Sequence, residues 1–294
     1  MLPFSLIRSR PAPPYRAALL TGRLGLRTGV THNFAVKSMY GLPPTEITLA
    51  AMLKGAGYHT AMIGKWHLGT TPNYSPTYHG FDEWFGLPWS DDMGCKDKVW
   101  PNLPLRPACA KDNQTTSEGK LLQKNGTQQW PLPLYHSTAP NCSGHADSCN
   151  SDIIEMPADL STLASRYAEQ ADAVFAKAAQ PGSPPFLLYV GFAHMHAPQF
   201  CADSYVGKTG AGHFADALLE FDDTVGAMVA ALDKHSLAED TLVLVTGDNG
   251  PWEVKCGAMA RYSNPGQQLL LLPPSDACPV FAAWTTRSHF PAFP

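Results

Sequence analysis

Apolar residues recur at spacings of three and four from Leu160 through Leu163, Tyr167, Ala171 and Val174 to Ala178, which predicts an amphipathic helix with one buried stripe. Pro185 then precedes a continuous apolar run, Phe186 to Phe192, of the kind that forms a buried parallel strand. A second helical stripe follows at Leu218, Phe221, Val225, Met228 and Leu232, and Thr241-Leu-Val-Leu-Val-Thr246 reads as another buried strand. Strand, helix, strand over this length is a βαβ unit, so the fold class is α/β with a parallel sheet and flanking helices. Nearer the start, Arg16 to Leu20 is expected to be helical and closed by Gly22 and Arg23. Thr48 to Lys54 is expected to be helical and to end at Gly55 and Gly57, with a strand from Tyr58 to Ile63. From about Pro72 to Pro157 the chain is rich in Pro, Asn, Gly and Cys with little periodicity. A stretch this long predicts a lobe of short elements beside the sheet rather than a plain loop. Beyond about Cys256 no period is visible and proline is frequent, so 257–294 is set apart as an atypical tail, as is 1–15 at the start.

The chain has 294 residues, 44% hydrophobic, enough to fill one large α/β core. The net charge of -4 comes from 21 basic and 25 acidic residues without a basic block, so no nucleic-acid partner is expected. No apolar run approaches the ~18 residues of a membrane span. The opening Met1 to Pro11 is too interrupted by Pro3 and Ser5 to read as a secretion signal. The interior points the other way. Asn73-Tyr-Ser, Asn113-Gln-Thr, Asn125-Gly-Thr and Asn141-Cys-Ser are glycosylation sequons, three of them close together in a polar, Cys-containing region. Of seven cysteines, Cys95, Cys109, Cys142 and Cys149 share that region, where disulfides are the better reading. Cys201, Cys256 and Cys278 are scattered, no C-x-x-C pair suggests zinc, and the odd count leaves a thiol over.

Ligands of open α/β sheets bind beyond the carboxyl ends of the strands. Three polar clusters hold that position: Gly64-Lys65-Trp66-His67-Leu68-Gly69, His194-Met-His196-Ala-Pro198, and Gly247-Asp248-Asn249-Gly250. Asp248 and Asn249 offer hard oxygens suited to Ca²⁺ or Mg²⁺. Lys65 brings positive charge, and His67 and His196 can donate hydrogen bonds or carry protons. With Arg16, these residues around a divalent cation make an anion pocket for a sulfate or phosphate ester. Other residues read as structural. Alone, Asp-Asn-Gly is a turn, His194 is a supporting residue and His59 a satisfied core histidine. Asp222 and Asp223 lie on a solvated helix face, and Trp66 and Trp252 form walls.

The same clusters, in this order, resemble those of the sulfatase family. Arg16-Ala-Ala-Leu-Leu-Thr-Gly-Arg23 is similar to the second half of its signature, C-x-P-S-R-x-x-L-L-T-G-R, and Gly64-Lys-Trp-His-Leu-Gly69 matches its second signature. Leu26 to Val36, Asp92-Met-Gly-Cys95, Phe192 to His196 and Thr246 to Trp252 resemble the arylsulfatase branch. The resemblance spans Arg16 to Cys256 and implies an alkaline-phosphatase-like catalytic domain of a lysosomal or secretory hydrolase of sulfate esters, glycosaminoglycans among them. It implies a formylglycine nucleophile made from the signature cysteine, and a Ca²⁺ ion held in part by Asp248 and Asn249. Lys65 and His196 would hold the sulfate, and Arg16 and His67 would orient the nucleophile and assist turnover.

The departures set a further expectation. The signature cysteine falls at Ala12, Tyr15 stands at the serine, and no cysteine precedes Cys95. An alanine methyl cannot become an aldehyde hydrate, so formylglycine is absent and the chain is expected to be inactive. The family's first strand, with its paired aspartates, is expected upstream of Met1, which would weaken Ca²⁺ binding. A non-catalytic binder of sulfated glycans or of a partner sulfatase, and a phosphoesterase of the same superfamily, are the alternatives.

Overall fold

The computed structural model describes residues 12–94, 121–122, 128–138, 151–196 and 199–248. Helix α1 (Ala12–Thr21) begins earlier than its apolar pattern suggests, because Pro13 and Pro14 fit the first helical turn, where no amide partner is needed. It ends where Gly22 takes φ +65° and donates its N–H to Ala18 O. The short α2 (Gly25–Thr28) follows. Helix α3 (Leu49–Gly55) starts at Thr48, whose hydroxyl accepts from Ala51 N and donates to His79 O. This fixes the approach to strand β1 (His59–Gly64).

The stretch expected as a lobe of short elements beside the sheet also supplies strands of the sheet. Strand β2 (Glu83–Gly86) runs parallel to β1, and β5 (Leu134–Thr138) and β6 (Ser151–Glu155) continue the sheet antiparallel. The two-residue strands β3 (Leu121–Leu122) and β4 (Gln128–Gln129) pair only with each other. Strand β7 (Phe186–Gly191) lies parallel on the other side of β1, giving the order β6-β5-β2-β1-β7. The sheet is therefore mixed, with its three parallel strands β2, β1 and β7 adjacent.

Alternation along the strands divides the interior between the two faces. Ala61, Ile63 and Phe85 belong to one cluster with Leu163, Tyr167, Ala171 and Val174 of α4 (Leu163–Ala178), and with Met228 and Leu232 of α5 (His213–Lys234). Met62 and Trp84 belong to another with Trp66, Phe81, Ala17, Leu20 and Ala50. Helices thus cover both faces, as parallel strands require. The predicted α4 stripe is the buried one. On α5 the buried face runs through Ala217, Glu220, Thr224, Met228 and Ala231, while Leu218 is exposed. The face has rotated because polar Asp216, Glu220 and Thr224 take interior places, Glu220 bonding His194.

The predicted strand at 241–246 is not formed. These residues pair with nothing in the sheet, and Leu242 and Leu244 are 78% and 81% exposed. An apolar run becomes a buried strand only beside a hydrogen-bonded neighbour, and β7, which ends the sheet, pairs on one side with β1 alone. For the same reason Phe186 to Val190 are half-buried rather than buried. Among the described residues no helix is long and apolar enough to cross a membrane.

Candidate active site

Strands β1, β2 and β7 point the same way, so the loops after Gly64, Gly86 and Gly191 emerge side by side. Close packing there demands glycine. Gly64 has φ +96°, and a Cβ on it would lie 2.2 Å from Gly191 O. His67, three residues on, has φ +56°, a left-handed conformation rare for a side chain of its size and typical of functional loops. The loop is held there by Trp66 N donating to Leu87 O and His67 N to Pro88 O.

Five of the six expected site residues meet at this edge. Lys65 is 2% exposed, and its Nζ lies 3.4 Å from Ser90 Oγ in the loop after β2. Burial, reinforced by the nearby Arg16, pulls its pKa down to about 8. Arg16 reaches in from α1, 4% exposed. Its Nη1 donates to Lys65 O at 2.5 Å, and Nε and Nη2 both lie 2.9 Å from Asp248 Oδ2. Burial alone would raise the Asp248 carboxyl, but Arg16 and then Lys65 outweigh it and hold it below the ordinary carboxylate range. His67 donates Nε2–H to Phe34 O, which leaves Nδ1 the unprotonated nitrogen, without a hydrogen-bond partner among the described residues. Burial and Lys65 push the ring down to about 3, so it is neutral at physiological pH.

His196 stands within electrostatic reach of His67 and Asp248. It is partly exposed and turns Nδ1 toward Asp91 Oδ1 at 3.6 Å and Asp92 Oδ1 at 3.9 Å. Asn249 lies outside the described residues. Ala12 opens α1 one turn before Arg16, where the signature places the nucleophile. The sequence reading missed Ser90 and Asp91. Their signal is their position, since Trp89-Ser-Asp-Asp follows the carboxyl end of β2 as the Lys65 and His196 loops follow β1 and β7. The remaining readings are simpler. His194, buried, bonds Glu220 Oε2 at 3.1 Å and supports the loop carrying His196. His59 is half-buried and bonds Glu83. Trp66 is buried and donates to Tyr74 O, and Asp222 and Asp223 are exposed. Asn73 is exposed. Cys201 is a free, buried thiol that burial pushes up to about 12, which makes it unreactive. The other six cysteines, the other three sequons and Trp252 lie outside the described residues.

Calcium takes six to eight oxygen ligands. Asp248, the one expected ligand among the described residues, already accepts two N–H groups of Arg16 on one oxygen. With Oδ2 taken by Arg16 and Asn249 outside the described residues, Asp248 alone does not make a Ca²⁺ site. A second group, Asp91, Asp92 and His196, has ligand atoms within 4.8 Å of one another and could hold a metal ion. Its imidazole nitrogen suits a transition metal or zinc better than calcium.

The family model for Sulfatase matches residues 12–271. Arylsulfatase G of Rattus norvegicus is 45% identical over 253 residues, which cover 85% of this chain and 45% of that protein. Arylsulfatase A of Homo sapiens is 36% identical over 242 residues, 81% of this chain and 42% of that protein. Among solved structures, the PsFucS1 sulfatase from Pseudoalteromonas sp. superposes with a TM-score of 0.64 at 25% identity, over 83% of this chain and 46% of that one. The chain thus spans less than half the length of these relatives, and its sheet with flanking helices is the expected alkaline-phosphatase-like fold. On sequence and fold together, this chain belongs to the sulfatase family, whose members hydrolyse sulfuric esters.

Proposed function

We propose that this chain recognises sulfate esters but does not turn them over. The observation that carries this reading is the buried pair of cations, Arg16 and Lys65, at the carboxyl ends of β1 and β7, one helical turn from an alanine. In this reading Lys65 holds the anion, because Asp248 already neutralises Arg16. The Ser90 hydroxyl and His196 add hydrogen bonds, and Arg16 fixes the loop through Lys65 O. Asp91 and Asp92 stand nearby and oppose a second negative charge, so affinity for one sulfate is low and salt-sensitive. A polyvalent sulfated glycan compensates through many weak contacts. Retention on a heparin-type resin is the expected outcome, lost in Lys65→Ala and weakened about two- to fivefold in His196→Ala. A lysine with lowered pKa loses its charge as pH rises through about 8 rather than above 10, so retention should fall across pH 7 to 9. Equal retention of Lys65→Ala and wild type would defeat the reading.

The clustered sequons fit a route through the secretory pathway toward the lysosome or the exterior. Expressed in mammalian cells, the protein should shift in gel mobility on removal of N-linked glycans. An unchanged band would argue against that route.

A further inference from the structure

Asp248 stands where the family resemblance expects a divalent cation, yet a side chain of the protein holds it instead. We infer that the Arg16 guanidinium is the resident cation of this site, and that the anion pocket works without calcium. The inference rests on the proposed sulfate recognition only for its second half.

Three faces of the guanidinium are committed. Nε and Nη2 both meet Asp248 Oδ2 at 2.9 Å, and Nη1 meets Lys65 O at 2.5 Å. The fold makes room for it, since a Cβ on Gly191 would come 2.6 Å from Nη1. Arg16 is 4% exposed, so it does not swing into water to free the carboxylate. An ion bound to Oδ2 would displace two charge-assisted hydrogen bonds and sit beside both Arg16 and Lys65. The guanidinium is permanently charged, so this neutralisation of Asp248 does not depend on the metal supply.

The test compares the full chain in millimolar Ca²⁺ and in chelator. Its melting temperature should agree within roughly 1 °C, whereas a micromolar site at a thousandfold excess would raise it by about 8 °C or more. Arg16→Gln, which frees Asp248, should gain Tb³⁺ luminescence sensitised by nearby tryptophans and displaced by Ca²⁺, and Arg16→Gln/Asp248→Asn should lose that gain. A Ca²⁺-induced rise in wild type that disappears in the double variant overturns the inference, as does a folded Arg16→Gln without gain. If Arg16→Gln does not fold, the wild-type comparison decides alone. A rise that persists in the double variant belongs to the Asp91, Asp92 and His196 group and leaves Asp248 with Arg16. Heparin retention that vanishes in chelator overturns calcium independence. Absence of retention under every condition overturns the recognition reading and leaves the Arg16–Asp248 assignment standing.

Discussion

The purified protein is expected to hydrolyse an aryl sulfate no faster than its Lys65→Ala variant. Covalent catalysis needs an atom with a lone pair at the attacking position, and Ala12 offers a methyl group. In enzymes that act through a covalent intermediate, deleting the nucleophile costs on the order of a millionfold in turnover. What survives is binding and charge stabilisation, and that residue is small here because Arg16 is already paired with Asp248. His67 does not substitute as a base at neutral pH, since its ring is held down to about 3 by burial and by Lys65. The assay should pair an aryl sulfate with the matching aryl phosphate. Sulfate turnover that falls in Lys65→Ala would show that the pocket is catalytic by another route, and phosphate turnover alone would favour a phosphoesterase. Ala12→Cys with Tyr15→Ser rebuilds the signature that precedes Arg16, and serves as the control for whether the rest of the site is competent.

Legibility in the sequence followed the range of the interaction concerned. The α4 stripe was readable because a helix with one covered face repeats its burial every three to four residues, and Leu163 to Val174 lie on that face. The run at Phe186 identified β7 but not its place at the edge, because an apolar run does not state how many neighbours a strand has. The same gap explains Thr241 to Thr246, whose composition is that of a buried strand and whose surroundings are solvent. The α5 face was misplaced by Glu220, a buried polar side chain whose partners, His194 and Ala202 N, lie 26 and 18 residues away. In the site, Lys65, His67 and Arg16 were found from motifs, while Ser90 and Asp91 needed the knowledge that β2 lies beside β1. The Arg16–Asp248 pair joins residues 232 positions apart, and no local pattern announces it.

That pair is also where a large loss of stability is expected. Asp248→Asn removes the counter-ion of a guanidinium that is 4% exposed and has Lys65 beside it, so two buried cations are left facing each other. Breaking a buried pair in this sense costs about 3–5 kcal/mol. The lower end applies, because the Asp248 side chain is 30% exposed and Asp91 and Asp92 still offset Lys65. Arg16→Met breaks the same contact from the other side and should cost less, about 1–2 kcal/mol, since the carboxylate it abandons can turn to water. Urea midpoints of the two variants measure this asymmetry, and equal losses would mean that Asp248 is as fully desolvated as its partner. The acid limb carries the same signature. A carboxyl held below its ordinary range contributes stability that is complete at neutral pH and is lost as pH falls through the region below about 4, and Asp248→Asn should remove that loss. Leu242 to Val245 are exposed and pair with nothing in the sheet, and among the described residues the ion pair ties Asp248 through Arg16 to the Lys65 loop. Asp248→Asn should therefore speed protease cleavage within 241–248 well before the molecule unfolds globally, whereas a core variant such as Leu163→Ala should change cleavage only in step with its global stability.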